Sequence, residues 1–115
     1  MLNKRLMGAE GEHKSTIYLK KQHYKILKTN YFSKIGEIDI IAKDKDILVF
    51  VEVKSRADDS FGMPAEAVTK RKQHMIIGSA KLYCIEKGIV NTQIRFDVIE
   101  ILEGKINHII DAFRC

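Results

Sequence analysis

The chain has 115 residues, 45% apolar and 30% charged, with 20 Lys and Arg against 15 Asp and Glu, and a formal charge of +5. This length predicts one domain, residues 1–115, that buries roughly two thirds of the surface its unfolded form exposes. No apolar run nears the roughly 18 residues of a membrane span, and Met1-Leu2-Asn3-Lys4-Arg5-Leu6 lacks the apolar stretch of a secretory signal, so a cytoplasmic protein is expected.

Two cysteines make no disulfide framework; Cys84 reads as a small core residue and Cys115 as a mobile reduced thiol. His13, His23, His74 and His108 are scattered singly and receive no role. The basic balance favours anionic partners, above all nucleic acid, without requiring one.

In chain order, Lys4 to Gln22 reads as a helix, with Leu6, Ala9, Glu12 or His13, and Thr16 to Ile17 at helical spacing. Gly8 and Gly11 weaken it but permit close backbone packing. Tyr24 to Tyr31 is rich in aromatic and branched residues and predicts a strand. After a turn at Ser33 to Lys34, Gly36 to Ala42 alternates, with Glu37, Asp39 and Ile41 on one face and Ile38, Ile40 and Ala42 on the other. Lys43-Asp44-Lys45-Asp46 is a hairpin break. Ile47 to Val53 is apolar on both faces, the signature of a central strand.

Ser55 to Gly62 predicts a polar loop. Pro64 to Lys87 is helical with a break near Val68-Thr69, burying Ile76, Ile77, Ala80, Tyr83 and Cys84 and stopping at Gly88. Ile94 to Leu102 is a strand, Glu103-Gly104-Lys105 a turn, and Ile106 to Phe113 a last strand. The order helix, three strands, helix, two strands predicts an α/β domain: a mixed five-stranded sheet with helices on its faces. The short loops favour antiparallel neighbours and the helical crossover permits a parallel return.

Glu52 and Lys54 are the anomaly. An apolar strand has no structural reason to end in a carboxylate and an ammonium, and alternation sets both on the side of Leu48 and Phe50. Burying a charge is costly unless it is paired or metal-bound. Antiparallel pairing about the Asp44 to Asp46 loop brings Asp39 opposite a residue between about Phe50 and Glu52. Glu37, Asp39 and Glu52 would then converge with Lys54 at one end of the ribbon. Such carboxylates invite a hard divalent cation, Mg²⁺ or Mn²⁺. A bound cation could activate water and polarise a phosphoryl oxygen, with the lysine as a fixed positive charge. The competing reading, a solvated Glu–Lys pair of little energetic weight, fits poorly with Leu48 and Phe50 on the same face.

Gly36-Glu37-Ile38-Asp39-Ile40-Ile41-Ala42 followed by Phe50-Val51-Glu52-Val53-Lys54-Ser55-Arg56 resembles the YraN-like family of small bacterial proteins. That family is related to the archaeal Holliday-junction resolvases within the PD-(D/E)XK nuclease superfamily. The likeness extends over nearly the whole chain, through Gly8-x-x-Gly11-Glu12, Phe61-Gly62-x-Pro64-x-Glu66-Ala67-Val68 and Arg95-Phe96-Asp97-Val98. It implies a restriction-endonuclease-like fold, Asp39 and Glu52 as metal-binding acids, Lys54 as the catalytic lysine, and Glu12 as an additional acid from the first helix. Glu37 would assist or hydrogen-bond within the site, and Gln73 could approach from the second helix, where a surface amide is the plainer reading.

Lys70, Arg71 and Lys72, at a helix start that also favours phosphate, would grip nucleic acid together with Ser55 and Arg56. Lys4, Arg5, Lys14, Lys20 and Lys21 could extend the footprint. No base-reading motif is visible, so recognition should rest on backbone and shape. The expected function is a divalent-metal-dependent endodeoxyribonuclease, with branched DNA as a candidate substrate, for which a homodimer would supply two cuts. Its alternatives are a non-catalytic nucleic-acid-binding module of the same fold and a small assembly or scaffold protein.

Overall fold

The computed structural model describes the backbone of residues 4–56 and 68–115. The elements are α1 (Lys4–Lys21), β1 (Lys25–Phe32), β2 (Glu37–Asp44), β3 (Ile47–Arg56), α2 (Lys70–Lys87), β4 (Ile94–Leu102) and β5 (Lys105–Phe113). The sequence-predicted order holds. One five-stranded sheet runs β1-β2-β3-β4-β5, antiparallel except for the central β3–β4 pair, which is parallel. The expected polar loop starts later than predicted, because Ser55 and Arg56 stay in β3, paired with Ile101 and Leu102. The rest of that loop and the proposed helical stretch from Pro64 to Ala67 lie outside the described residues.

The central strands are buried on both faces, as their unbroken apolar runs require. Val49, Phe50 and Val51 are fully buried. Ile41, Leu48, Phe50, Phe96 and Val98 pack on one side under α2, against Ile76, Ile77, Ala80 and Tyr83. Ile40, Ala42, Val49, Val51, Ile99 and Ile101 pack on the other with Leu19 of α1. α2 is capped as its sequence suggests: Thr69 accepts from the Lys72 N–H, and Gly88 takes the left-handed φ of 64° that closes the helix.

α1 packs through a different stripe from the predicted periodicity. Gly11, Ser15 and Leu19, spaced four apart, are buried, whereas Ala9, His13 and Ile17 are exposed. The reason is proximity: a methyl group at Gly11 would overlap Ser55 Oγ, so the contact selects small residues rather than large apolar ones. Among the described residues no helix is long and apolar enough to cross a membrane.

Strict alternation along β2 also fails. Ile38 packs with Ile41 on the α2 side, while Ile40 and Ala42 pack on the α1 side. The neighbouring β1 carries Asn30 at a left-handed φ of 52°, between the residues paired with Ile40 and Ile38. Asp39 therefore sits where the edge of the sheet turns over.

Candidate active site

The β2–β3 ladder runs from the two-residue turn at Lys45-Asp46 as far as Ile40 opposite Val51. One step further the register would oppose Asp39 to Glu52. Instead the Val53 N–H donates to Asp39 Oδ2 at 2.7 Å, a side-chain carboxylate standing in for a strand carbonyl. Beyond this point β2 continues alongside β1, with Phe32 opposite Glu37, and β3 continues alongside β4, with Lys54 opposite Glu100. The two strands fork, and Asp39 lies in the fork.

Glu52 is only 6% exposed. Lys54 Nζ lies 4.0 Å from its Oε1, and Lys72 Nζ, reaching over from α2, lies 3.9 Å from its Oε2. Both ammonium groups stand beyond hydrogen-bonding distance, so they balance the charge without solvating it. Burial, then the negative charge of Asp39, pushes the Glu52 carboxyl up to about 8, and the two lysines only partly oppose this. Asp39 and Glu52 are near enough to share a hydrogen bond when one of them carries a proton.

On the α1 side of the fork lies a cavity of about 600 Å³ whose wall includes Glu12, Asn30, Phe32, Glu37, Asp39 and Ser55. Glu12 is held by the amide of Asn30, which in the orientation that satisfies both groups donates to the two carboxylate oxygens at 2.7 and 3.1 Å. Burial and the nearby charges of Asp39 and Glu37 raise the Glu12 carboxyl, against the lowering effect of Asn30.

The predicted residues thus assemble in two groups joined by Asp39. Glu52 lies with Lys54 and Lys72 towards α2, Glu12 and Glu37 line the cavity towards α1, and Asp39 feels the charge of both Glu52 and Glu12. The expected convergence of Glu37, Asp39 and Glu52 on one face is corrected by the turnover of β2. Among the described residues no three Asp, Glu, His or Cys side chains form a ready cage for a metal ion. The pair Asp39 and Glu52 nevertheless suits a hard cation that keeps most of its water. Such an ion needs only one or two carboxylates, and its charge would offset the burial and the Asp39 charge that raise the Glu52 carboxyl.

The proposed nucleic-acid contacts divide as well. Lys70 and Arg71 are exposed at the start of α2. Lys72 is turned to Glu52 rather than outward, and Thr69 already takes its backbone N–H. Ser55 lies in the cavity wall against α1, and Arg56 ends β3, its side chain outside the described residues. Gln73 donates to the Val68 carbonyl at 3.0 Å, which ties down the entry to α2.

Sequence reasoning missed two further buried carboxylates on β4, Glu100 and Asp97, of which Asp97 is fully enclosed on the α1 face. Arg95 donates to it from Nε at 2.9 Å and from Nη2 at 3.0 Å. The Asp111 N–H reaches it at 3.0 Å, and His108 Nε2 lies 2.7 Å away. Burial alone would raise this carboxyl, but the bonds from His108, Arg95 and Asp111 hold it below the ordinary range. The signal was present, since Asp97 interrupts an apolar strand just as Glu52 does. His108 is no surface residue: its other ring nitrogen lies 3.1 Å from the Tyr18 hydroxyl.

The fold and the fork define a small mixed α/β protein with an acid–lysine cluster between parting strands. The chain belongs to the group described as "Uncharacterised protein family UPF0102", which matches residues 11–101. This is the YraN-like family to which the motifs point. It is 51% identical to a UPF0102 protein of Clostridioides difficile, over 97% of this chain and 100% of the relative. It is 48% identical to one of Clostridium acetobutylicum, over 97% and 88% respectively, and 45% identical to one of Caldanaerobacter subterraneus, over 97% and 98%. These names carry the family and state no activity.

Proposed function

We propose that this protein is a divalent-metal-dependent endodeoxyribonuclease of the PD-(D/E)XK type with a restriction-endonuclease-like fold, acting on branched DNA in the cytoplasm. The observation that carries the reading is the buried Glu52 beside Asp39 at the strand fork, flanked by Lys54 and Lys72. Asp39 and Glu52 would hold Mg²⁺ or Mn²⁺, which when bound polarises a phosphoryl oxygen and acidifies a water.

The chain's own groups do the rest. The Val53 N–H fixes the Asp39 carboxylate in the fork. Lys54, about one-third exposed at its side chain, has an ammonium free to orient the attacking water and to stabilise charge on the phosphate. Lys72 supplies a second positive charge against Glu52. Lys70 and Arg71 extend a basic track for the backbone phosphates. A homodimer would present two such sites to a four-way junction.

A second reading, binding without cutting, draws on the separation of Glu12 and Glu37 from Glu52, which leaves two carboxylates for an ion. Incubating the protein with linear, flapped and four-way DNA, with and without Mn²⁺ or Mg²⁺, separates the two. Metal-dependent cleavage that falls about 10²-fold or more in both Glu52→Gln and Lys54→Ala supports the nuclease. Equal cleavage in wild type and variants would assign the activity to a contaminant. Binding without cleavage would favour the second reading.

A further inference from the structure

Phe32 is the last residue of β1, and the residue is 71% exposed. It stands in the wall of the cavity that also holds Glu12, Glu37 and Asp39, and it pairs across the hairpin with Glu37. A single exposed Phe means little by itself. This one is rigidly presented. Ser33 N–H donates to the Gly36 carbonyl at 2.8 Å, and Ser33 Oγ accepts from the N–H groups of Ile35 at 3.2 Å and Gly36 at 3.1 Å. The same hydroxyl lies 2.9 Å from Oγ of the fully buried Ser79 in α2. Ile35 rests on Gly78, where an added Cβ would come within 3.1 Å of it. The hairpin tip is thus clamped to one side of the molecule while the ring of Phe32 is offered to the cavity on the other.

The surroundings select what can cover that ring. Glu12, Glu37 and Asp39 repel a phosphate, so the backbone of a nucleic acid belongs on the lysine side of the fork. A neutral, flat nucleobase is compatible with the acids and matches the aromatic face, and stacking of this kind accepts any base. A base can reach the ring only when it is unpaired.

We propose that Phe32 is a stacking platform for an unpaired base, which makes the substrate class nucleic acid with single-stranded or splayed nucleotides at the site rather than intact duplex. This deepens the nuclease reading and rests on it. Phe32 acts on substrate choice and positioning, not on the chemical step.

The chain contains no Trp, so Phe32→Trp installs a unique reporter at an exposed position that tolerates the change. With metal omitted, single-stranded and flapped DNA should quench the introduced indole, and a long blunt-ended duplex should not. Labelled-DNA anisotropy should show Phe32→Ala losing roughly 5- to 150-fold in affinity for single strands, the range of one lost stacking contact, with duplex affinity unchanged. Binding of single strands by anisotropy with no change in indole fluorescence, or equal loss for duplex and single strand in Phe32→Ala, would overturn the platform alone. Quenching with no metal-dependent cleavage by the wild type would overturn the nuclease reading alone. No binding of any DNA at low salt would overturn both.

Discussion

Glu52→Gln removes a charge while keeping the shape of a side chain that is 6% exposed. In the metal-free protein the Glu52 carboxyl is raised from 4.5 to about 8, by burial first and by Asp39 second. Between those values the folded chain holds a proton that the unfolded chain has released. Stability therefore falls as pH rises through that window, by at most about 1.4 kcal/mol per pH unit. Relaxation of the pocket and entry of water keep the loss below that ceiling, so the difference expected between pH 5 and pH 8 is about 2–4 kcal/mol. Gln carries no charge at either pH and escapes the loss. Relative to wild type, Glu52→Gln should gain stability from pH 5 to pH 8 by about 10 °C in Tm for a domain of this size. Thermal unfolding in EDTA at pH 5, 6.5 and 8 measures it. Adding Mg²⁺ at pH 8 should restore the wild type and leave Glu52→Gln unmoved, since a ligand stabilises only the state that binds it. Parallel pH profiles in EDTA would refute the raised carboxyl, and equal stabilisation of both proteins by Mg²⁺ would place the ion elsewhere.

Gly11→Ala should cost about 1–3 kcal/mol by overpacking against Ser55 Oγ, and Ser55→Ala in the same chain should restore much of it, as read by urea unfolding. Lys70→Ala with Arg71→Ala should flatten the log–log salt dependence of DNA binding by up to about 1.8, at roughly 0.9 per lost phosphate contact, equally for different sequences. Lys72→Ala should instead raise the Glu52 carboxyl further, because it removes the nearer of the two cations, and a steeper loss of stability towards pH 8 would register it. Asp97→Asn should destabilise by about 3–5 kcal/mol, since it leaves Arg95 and His108 without their buried anion.

Much of the fold was legible because its signals are local. The polar break between two apolar runs marks the β2–β3 hairpin, Gly88 marks the end of α2, and Ile94 to Leu102 matches β4 residue for residue. Of the packed face of α1 only Gly11 was legible, as a glycine that permits close packing; Ser15 and Leu19 were not, because the stripe is selected by distance to β3, which no periodicity contains. At the site, Glu52 and Lys54 could be found because a charge ending an apolar strand is a local contradiction. The turn of β2 about Asp39 depends on the left-handed Asn30 in the neighbouring strand, and so no count of alternating residues along β2 alone could show it. Lys72 reads as one of three surface cations until α2 is laid over β3.

Two of the buried carboxylates of this sheet, Asp97 and Glu52, answer the same energetic problem in opposite ways. Asp97 sits where β5 bulges, with Phe96 opposite Phe113 and Val98 opposite Ile109. The bulge, with Asp111 at a φ of 57°, supplies a backbone N–H, while Arg95 and His108 supply charge and direction. Every donor there is at hydrogen-bonding distance, which lets the anion stay ionised inside the protein. Glu52 is nearly as well enclosed but has its cations near 4 Å and a second acid beside it. At Asp97 the chain satisfies a buried carboxylate in full. On the proposed nuclease reading, the less well satisfied Glu52 at the fork leaves oxygen ligands and positive charge for a hydrated divalent cation carrying a phosphate, which would answer both needs at once.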